Sequence, residues 1–350
     1  MLVVVTRSQK AEAIVKPTKT GRDNEAFEQS LRPKTLTEYV GQSKIKEHLL
    51  IYIEAASKRK ESLGHTLLHG PPGLGKTTLA HIMAREMGTQ LRVTSGPAIE
   101  KPGDLASLLT NIEEGDVLFI DEIHRMRPAI EEVLYSAMEE FAIDLVIGKG
   151  PTARSMRLNL KPFTLVGATT KAGSMSAPLR DRFVHTFKLS FYSLPEMEQI
   201  VDRSAHILNV KLEDGVSQHL AGCCRATPRI ANRIVRAVRD FAQVQGEKVI
   251  SHERTTSTLS SLGIDERGLD TTDREILMSL VEKFNGGPVG LSTLATTIAE
   301  EEDTLEDMYE PFLIQQGYMQ RTSKGRMATQ LTYDVLGLNL PDHMQSLFVS

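Results

Sequence analysis

One short stretch restricts what this chain can fold into more than any other: Gly70-Pro71-Pro72-Gly73-Leu74-Gly75-Lys76-Thr77, between the apolar run Thr66 to His69 and the amphipathic stretch Thr78 to Met87. Glycines at these spacings let successive backbone N–H groups converge, and a lysine at a helix mouth adds charge. The segment therefore reads as a strand, a phosphate-cradling loop and a helix. Short apolar runs at Leu91 to Thr94, Val117 to Ile120 and Phe163 to Ala168 alternate with amphipathic segments. Strand and helix in alternation predict an α/β domain, a parallel sheet covered on both faces.

A chain of 350 residues exceeds the ~250 that a single core usually reaches, so more than one domain is expected. Residues 1–30 mix charged and polar types without apolar periodicity and read as a flexible tail. The α/β domain spans 31–191. A helical block follows over 192–262, with Ile230, Ile234, Val235 and Val238 on one face. Over 263–338 the reading is a winged helix. Thr272-Asp273-Arg274-Glu275 resembles a capping box, and Ile276, Leu277, Leu280, Val281 and Phe284 form the first stripe. Leu291, Leu294 and Ile298 mark a second helix, and Leu305, Met308, Phe312 and Leu313 a third. A hairpin from Tyr318 to Thr329 forms the wing, and residues 339–350 form a C-terminal tail.

With 40% hydrophobic and 25% charged residues and no apolar run near the ~18 that a span needs, the chain is expected to be soluble and cytoplasmic, with no membrane segment. Leu2 to Val5 is too short for a secretory signal. Cys223 and Cys224 are adjacent, which disfavours a disulfide between them and points to burial as small apolar residues. The ten histidines show no metal spacing, so no transition-metal site is assigned. The net charge of −4 leaves any nucleic-acid contact to a local basic patch.

The chemistry concentrates at strand ends. Gly73 and Gly75 with Lys76, Thr77 and Thr78 form the ATP-binding loop. Lys76 neutralises the β/γ oxygens, and the Thr77 hydroxyl can ligate Mg²⁺. Val117 to Ile120 ends in Asp121 and Glu122; the first suits the Mg²⁺ shell, the second the attacking water. Leu165 to Ala168 ends in Thr169 and Thr170, where a hydroxyl can hold that water. Thr227 and Pro228 suit the N-cap and N1 of a helix, which puts Arg229 in an anion-favouring first turn.

The phosphate loop, Leu118 to His124, Phe163 to Thr170, Ala177 to Phe183, Thr227 to Arg233 and Gly286 to Gly290 together resemble the RuvB family of AAA+ ring motors, in the family's order and from about Leu31 to Thr329. The resemblance implies an ATP-driven DNA motor that drives branch migration of Holliday junctions. It makes Thr170 sensor 1, Arg229 sensor 2, and Arg182 an arginine finger acting on the neighbouring subunit, with Arg180 close enough to compete for that assignment. Leu31, Arg32 and Tyr192 resemble positions around the nucleotide base. A finger supplied in trans implies a homo-oligomeric ring, hexameric in the family. The hairpin over 141–160, around a Gly148 to Pro151 turn, resembles the RuvA-docking region, and RuvC is a further partner that the family admits. Arg321, Lys324 and Arg326 fall on the wing, in a stretch where 5 Lys/Arg against 12 Asp/Glu over 271–350 give a net of −7. Arg321 and Arg326 match DNA-contacting positions of the family, and such contacts would be to phosphates rather than bases. Two departures stand out: Ala226 and Val184 occupy positions where the family usually has glycine. A nucleotide-switched DNA-binding or clamp-loading protein is the rival reading, and Asp181-Arg182-Phe183 in place of Ser-Arg-Cys argues against it.

Overall fold

The structure, a computed structural model, describes residues 28–147 and 154–341. The expected N-terminal tail up to residue 27, the Gly148 to Pro151 turn and the C-terminal tail from residue 342 lie outside the described residues. A helical turn at 28–31, closed by the Arg32 amide donating to the Gln29 carbonyl at 3.2 Å, belongs to a unit of its own. A second unit begins at Pro33.

In that unit, helix α1 (Ser43–Arg59) leads into strand β1 (Thr66–His69), helix α2 (Lys76–Glu86), β2 (Leu91–Ser95), α3 (Pro102–Thr110), β3 (Val117–Asp121) and α4 (Pro128–Glu140). Strands β4 (Ala142–Ile147) and β5 (Arg154–Asn159) pair antiparallel as the expected hairpin. Strand β6 (Thr164–Thr169), the short helix α5 (Ala177–Arg180) and strand β7 (His185–Lys188) complete the α/β part. The sheet runs β2-β3-β6-β1-β7, every pairing parallel. Four of these strands coincide with the apolar runs. The fifth, β7, was not anticipated, because its exposed Thr186 and Lys188 flank a lone buried Phe187.

Period-two alternation assigns the side chains to two layers. Leu67, Leu118, Ile120 and Leu165 face one core with Ile130, Leu134 and Phe163. Leu68, Val117, Phe119 and Val166 face the other with Leu79 and Met83. At about 1.5–3 kcal/mol per fully buried aliphatic side chain, these layers rather than local propensity hold the sheet.

The second core continues into the helical block, where Ile234, Val235 and Val238 are buried and Ile230 packs beside them. Helices α6 (Leu194–Ile207), α7 (Val216–Gly222), α8 (Pro228–Val244) and α9 (His252–Ser261) form this block, tied by a short parallel pairing of β8 (Lys211–Leu212) with β9 (Val249–Ile250). Cys223 and Cys224 are buried within it.

The last part has its own core, built on Ile276, Leu277, Leu280, Leu294, Phe312 and Leu313. Helix α10 is Thr271–Glu282, and its cap is Asp270, whose side chain accepts from the Asp273 amide at 2.8 Å. The expected box at Thr272 is therefore displaced by two positions, because Asp270 and Asp273 cap each other reciprocally. After helix α11 (Leu291–Thr297) a helical stretch covers 302–315, with a π turn at Leu305–Tyr309. The wider turn shifts the face by a residue, so Met308 is 59% exposed rather than in the core, and Tyr309 packs there instead. Strands β10 (Met319–Thr322) and β11 (Gly325–Ala328) form the wing. Among the described residues no helix is long and apolar enough to cross a membrane.

Candidate functional site

The three strands carrying the predicted chemistry lie side by side as β3-β6-β1 and, being parallel, present their C-terminal ends at one edge. There β1 passes into the phosphate loop. Gly70 has φ 142°, and a Cβ on it would lie 2.5 Å from the Leu189 carbonyl oxygen, so no other residue fits. Gly75, at φ 100°, caps α2, and its added Cβ would meet the Tyr39 hydroxyl at 2.8 Å.

Lys76 folds into this loop, its Nζ donating to the carbonyls of Gly70 at 2.7 Å and Pro71 at 2.9 Å. Its residue is 8% exposed. Burial pulls the ammonium down to about 8, against the raising influence of Asp121 and Glu122, while Arg229 lowers it further. The groups assigned separately in the sequence thus act together on the charge of Lys76. Thr77 and Thr78 are half-buried in the first turn of α2.

Asp121 is the last residue of β3, and its Oδ1 accepts from the Glu122 amide at 3.0 Å. Glu122 takes a left-handed conformation, φ 50°, which turns the chain and separates the two carboxylates. Arg125 donates to Glu122 Oε2 at 3.2 Å. At the end of β6, Thr169 is buried and shares a 2.9 Å hydrogen bond with His124 Nδ1, while Thr170 is half-buried one residue beyond the strand. Burial lowers the His124 imidazole, favouring the neutral ring.

Tyr192 and Tyr39 close the other side. Both hydroxyls donate to the Leu74 carbonyl, at 3.1 and 3.2 Å, and Tyr192 also reaches Tyr39 at 3.1 Å. Burial pushes the Tyr192 phenol up to about 12 and raises that of Tyr39 as well, so both stay protonated donors. Tyr192 therefore braces the phosphate loop. Tyr39 escaped the sequence reading, since only its placement in the fold brings it to Gly75. Leu31 is buried and Arg32 half-buried, in the unit that precedes Pro33.

Thr227 is the N-cap and Pro228 the first residue of α8, as expected, and the Arg229 amide points at the Gly73 carbonyl at 3.4 Å. Arg229's side chain is exposed. Arg182 follows the short helix α5, with 31% of its side chain exposed. Its Nη2 donates to Glu139 at 2.8 Å, its Nη1 to the Pro178 carbonyl at 2.9 Å, and its guanidinium lies 5.1 Å from the Tyr135 ring centre. Tyr135 is itself fixed by Ser176 at 2.8 Å and Glu131 at 3.1 Å. Arg180 is exposed nearby.

Three family models match in succession. The Holliday junction DNA helicase RuvB P-loop domain covers residues 31–189, the RuvB AAA lid domain 192–265, and the RuvB C-terminal winged helix domain 266–337. The chain belongs to the RuvB family. Among solved structures it is similar to the Thermotoga maritima RuvB Holliday junction branch migration motor, at 46% identity over 89% of this chain and 100% of that one, with a TM-score of 0.83. It is likewise similar to a mutant of T. maritima RuvB, at 47% identity over 89% of this chain and 99% of that one, TM-score 0.83.

Against the usual RuvB pattern, Ala226 keeps a left-handed backbone, φ 51°, with Arg225 before it also at φ 51°. The glycine-like geometry survives without the glycine. Val184, the second departure, is 70% exposed two residues after Arg182. On the wing, Arg321 and Lys324 are exposed, and Arg321 donates to Glu306 at 3.0 Å. Arg326 corrects the expectation of a three-residue exposed patch. It is 7% exposed, paired with buried Glu310. The reason is that β11 is flanked by β10 and by a bridge at Val289, which makes it an inner strand.

Proposed function

We propose that this chain is the motor subunit of Holliday-junction branch migration, an ATPase and DNA helicase that turns hydrolysis into movement of duplex DNA. The observation that carries this is the buried Lys76 ammonium, held in a glycine cradle within the electrostatic reach of Asp121, Glu122 and Arg229. A buried cation on a converging backbone is suited to a polyphosphate.

In this reading the loop from Gly73 to Thr78 holds the phosphates, and Tyr192 keeps the base-side role that its family position implies, as Leu31 and Arg32 do by resemblance alone. Thr77 and Asp121 suit Mg²⁺: a hydroxyl and a carboxylate are the hard oxygen donors that this ion takes beside a phosphate. The ion supplies charge neutralisation at the phosphoryl oxygens. Glu122 orients water and accepts its proton, Thr170 positions that water as sensor 1, and Arg229 reports the γ-phosphate to the lid as sensor 2. Arg182, presented at an edge on the Tyr135 platform, acts in the site of an adjacent protomer. That division of labour makes a ring, hexameric as in the family, the active form. Arg321 and Lys324 meet DNA phosphates without reading sequence, while Arg326 keeps the wing in shape. The β4–β5 hairpin, whose Met156 is 42% exposed, docks RuvA, with RuvC joining on the same junction. The work is done in the cytoplasm.

The deciding experiment mixes the purified chain with RuvA, ATP and Mg²⁺ on a synthetic four-way junction and follows strand separation. ATP-dependent conversion to duplex arms is expected. Nucleotide-dependent DNA binding without any conversion would overturn the motor and leave the switch or loader reading.

A further inference from the structure

We propose that Lys171 is a positioning residue that ties the strand end bearing Thr169 and Thr170 to the DNA wing through a shared carboxylate, Glu306, so that a phosphate on Arg321 is felt where ATP is cleaved. The inference rests on the functional reading above and adds the route between its two ends.

Lys171 lies two residues past the end of β6, and its amide donates to Thr169 Oγ1 at 3.0 Å. The same hydroxyl bonds His124, two residues after Glu122. The far end of the lysine leaves the ATPase part altogether. Its Nζ lies 3.0 Å from Asp303 Oδ1, 3.3 Å from Glu306 Oε2 and 3.3 Å from Asp307 Oδ2, all on the helical stretch 302–315. Glu306 divides its two oxygens: Oε2 faces Lys171, and Oε1 accepts from Arg321 Nη1 at 3.0 Å on the wing.

Isolated exposed ion pairs contribute little. This is a different arrangement. The Lys171 side chain is 25% exposed, and it meets carboxylates that would repel one another at i, i+3 and i+4 spacing if no cation stood between them. The π turn at Leu305–Tyr309 carries Glu306 and Asp307, a local irregularity of the kind that accompanies function. The carboxylates in turn hold the lysine ammonium firmly in its charged form.

The physics of sharing sets the direction. When a DNA phosphate takes Arg321, Glu306 loses one of its two cations and its charge falls on Lys171 alone. The tie from helix to sensor strand tightens. By reciprocity, whatever the nucleotide does to that strand must alter the affinity of the wing for DNA by the same factor.

The test uses the full-length chain as wild type, Lys171→Gln, Lys171→Arg and Glu306→Gln. ATP turnover is measured with and without a fluorescein-labelled duplex, and duplex affinity is measured with ADP and with ATPγS. In the wild type the duplex raises turnover, and the two nucleotides give affinities that differ at least about fivefold. Lys171→Gln and Glu306→Gln keep the DNA-independent rate, lose most of the stimulation, and bring the affinity ratio close to one. Lys171→Arg, which keeps the charge, restores both. Undiminished stimulation and an unchanged ratio in Lys171→Gln overturn the proposal. So does loss of the DNA-independent rate in a folded variant, since Lys171 would then belong to hydrolysis itself. Should Lys171→Gln fail to fold, Glu306→Gln decides by the same two readouts. A wild type whose turnover ignores DNA instead sinks the DNA-motor reading, and the inference with it.

Discussion

Arg326 and Glu310 form a two-toothed ion pair behind the wing, Nε to Oε1 at 2.5 Å and Nη2 to Oε2 at 3.2 Å, with side-chain exposures of 8% and 2%. One helical turn away, Arg321 pairs with Glu306 at the surface. The two rungs join neighbouring strands, β10 and β11, to the same helical stretch but differ in burial, and burial decides what each is worth. Arg326→Ala leaves a buried carboxylate alone and is expected to cost the winged-helix region about 3–5 kcal/mol. Arg321→Ala should move stability by less than about 1 kcal/mol. Calorimetric unfolding of both variants checks this. Weakened DNA binding by Arg326→Ala with an unaltered melting profile would return Arg326 to the DNA face.

Lys76 is expected to make nucleotide binding pH-dependent. Burial holds its ammonium at about 8, whereas an unfolded lysine stays charged to about 10.5. Between those values the folded chain binds fewer protons than the unfolded one, so this group adds to stability as pH rises through the window. Binding of a polyanion has the opposite sign, because it needs the charged form. ADP affinity should be full below about pH 8 and fall above it, while Lys76→Arg, charged throughout, should show no such fall. Titration calorimetry across that range measures both, and a flat wild-type profile would contradict the burial assigned to Lys76.

Replacing Glu122 by Gln removes the proposed proton acceptor but keeps the size of the side chain and much of its hydrogen bonding. Turnover should drop by about 10²–10⁴-fold with nucleotide affinity nearly intact. Steady-state phosphate release beside equilibrium binding separates the two, and normal release would take Glu122 out of hydrolysis.

Arg182, braced by Glu139 and Tyr135 with 31% of its side chain exposed, is the residue proposed to act in another protomer. Lys76→Ala and Arg182→Ala subunits should each be inactive alone. Mixed, they should regain part of the ATPase rate, because a site with both residues intact forms wherever the two kinds adjoin in the right order. Mixtures that recover nothing would remove the role in trans.

Local pattern made the phosphate loop, four of the five sheet strands and the start of α8 legible, since each depends on spacing within a few residues. The contacts that hold the site in position depend on distant segments, and periodicity carries no trace of them. Tyr39 reaches Leu74, Tyr135 lies under Arg182, and Lys171 crosses to Asp303. Arg326 shows the same limit from the other side. Its charge suggested a surface, but an inner strand and a waiting Glu310 put it inside. The π turn at Leu305–Tyr309 likewise broke a helical register that the sequence alone seemed to continue through Met308.

The paired left-handed residues Arg225 and Ala226 stand directly before Thr227, Pro228 and Arg229. Side chains in that conformation cost about 1–3 kcal/mol each, and the corner persists because its surroundings enforce it. The Ala226 carbonyl accepts from Tyr192, and the Arg225 guanidinium is locked to Asp270 and Asp273. Such a joint resists bending. Any displacement of α8 would therefore be carried to Asp270 and Asp273 instead of being absorbed in slack chain.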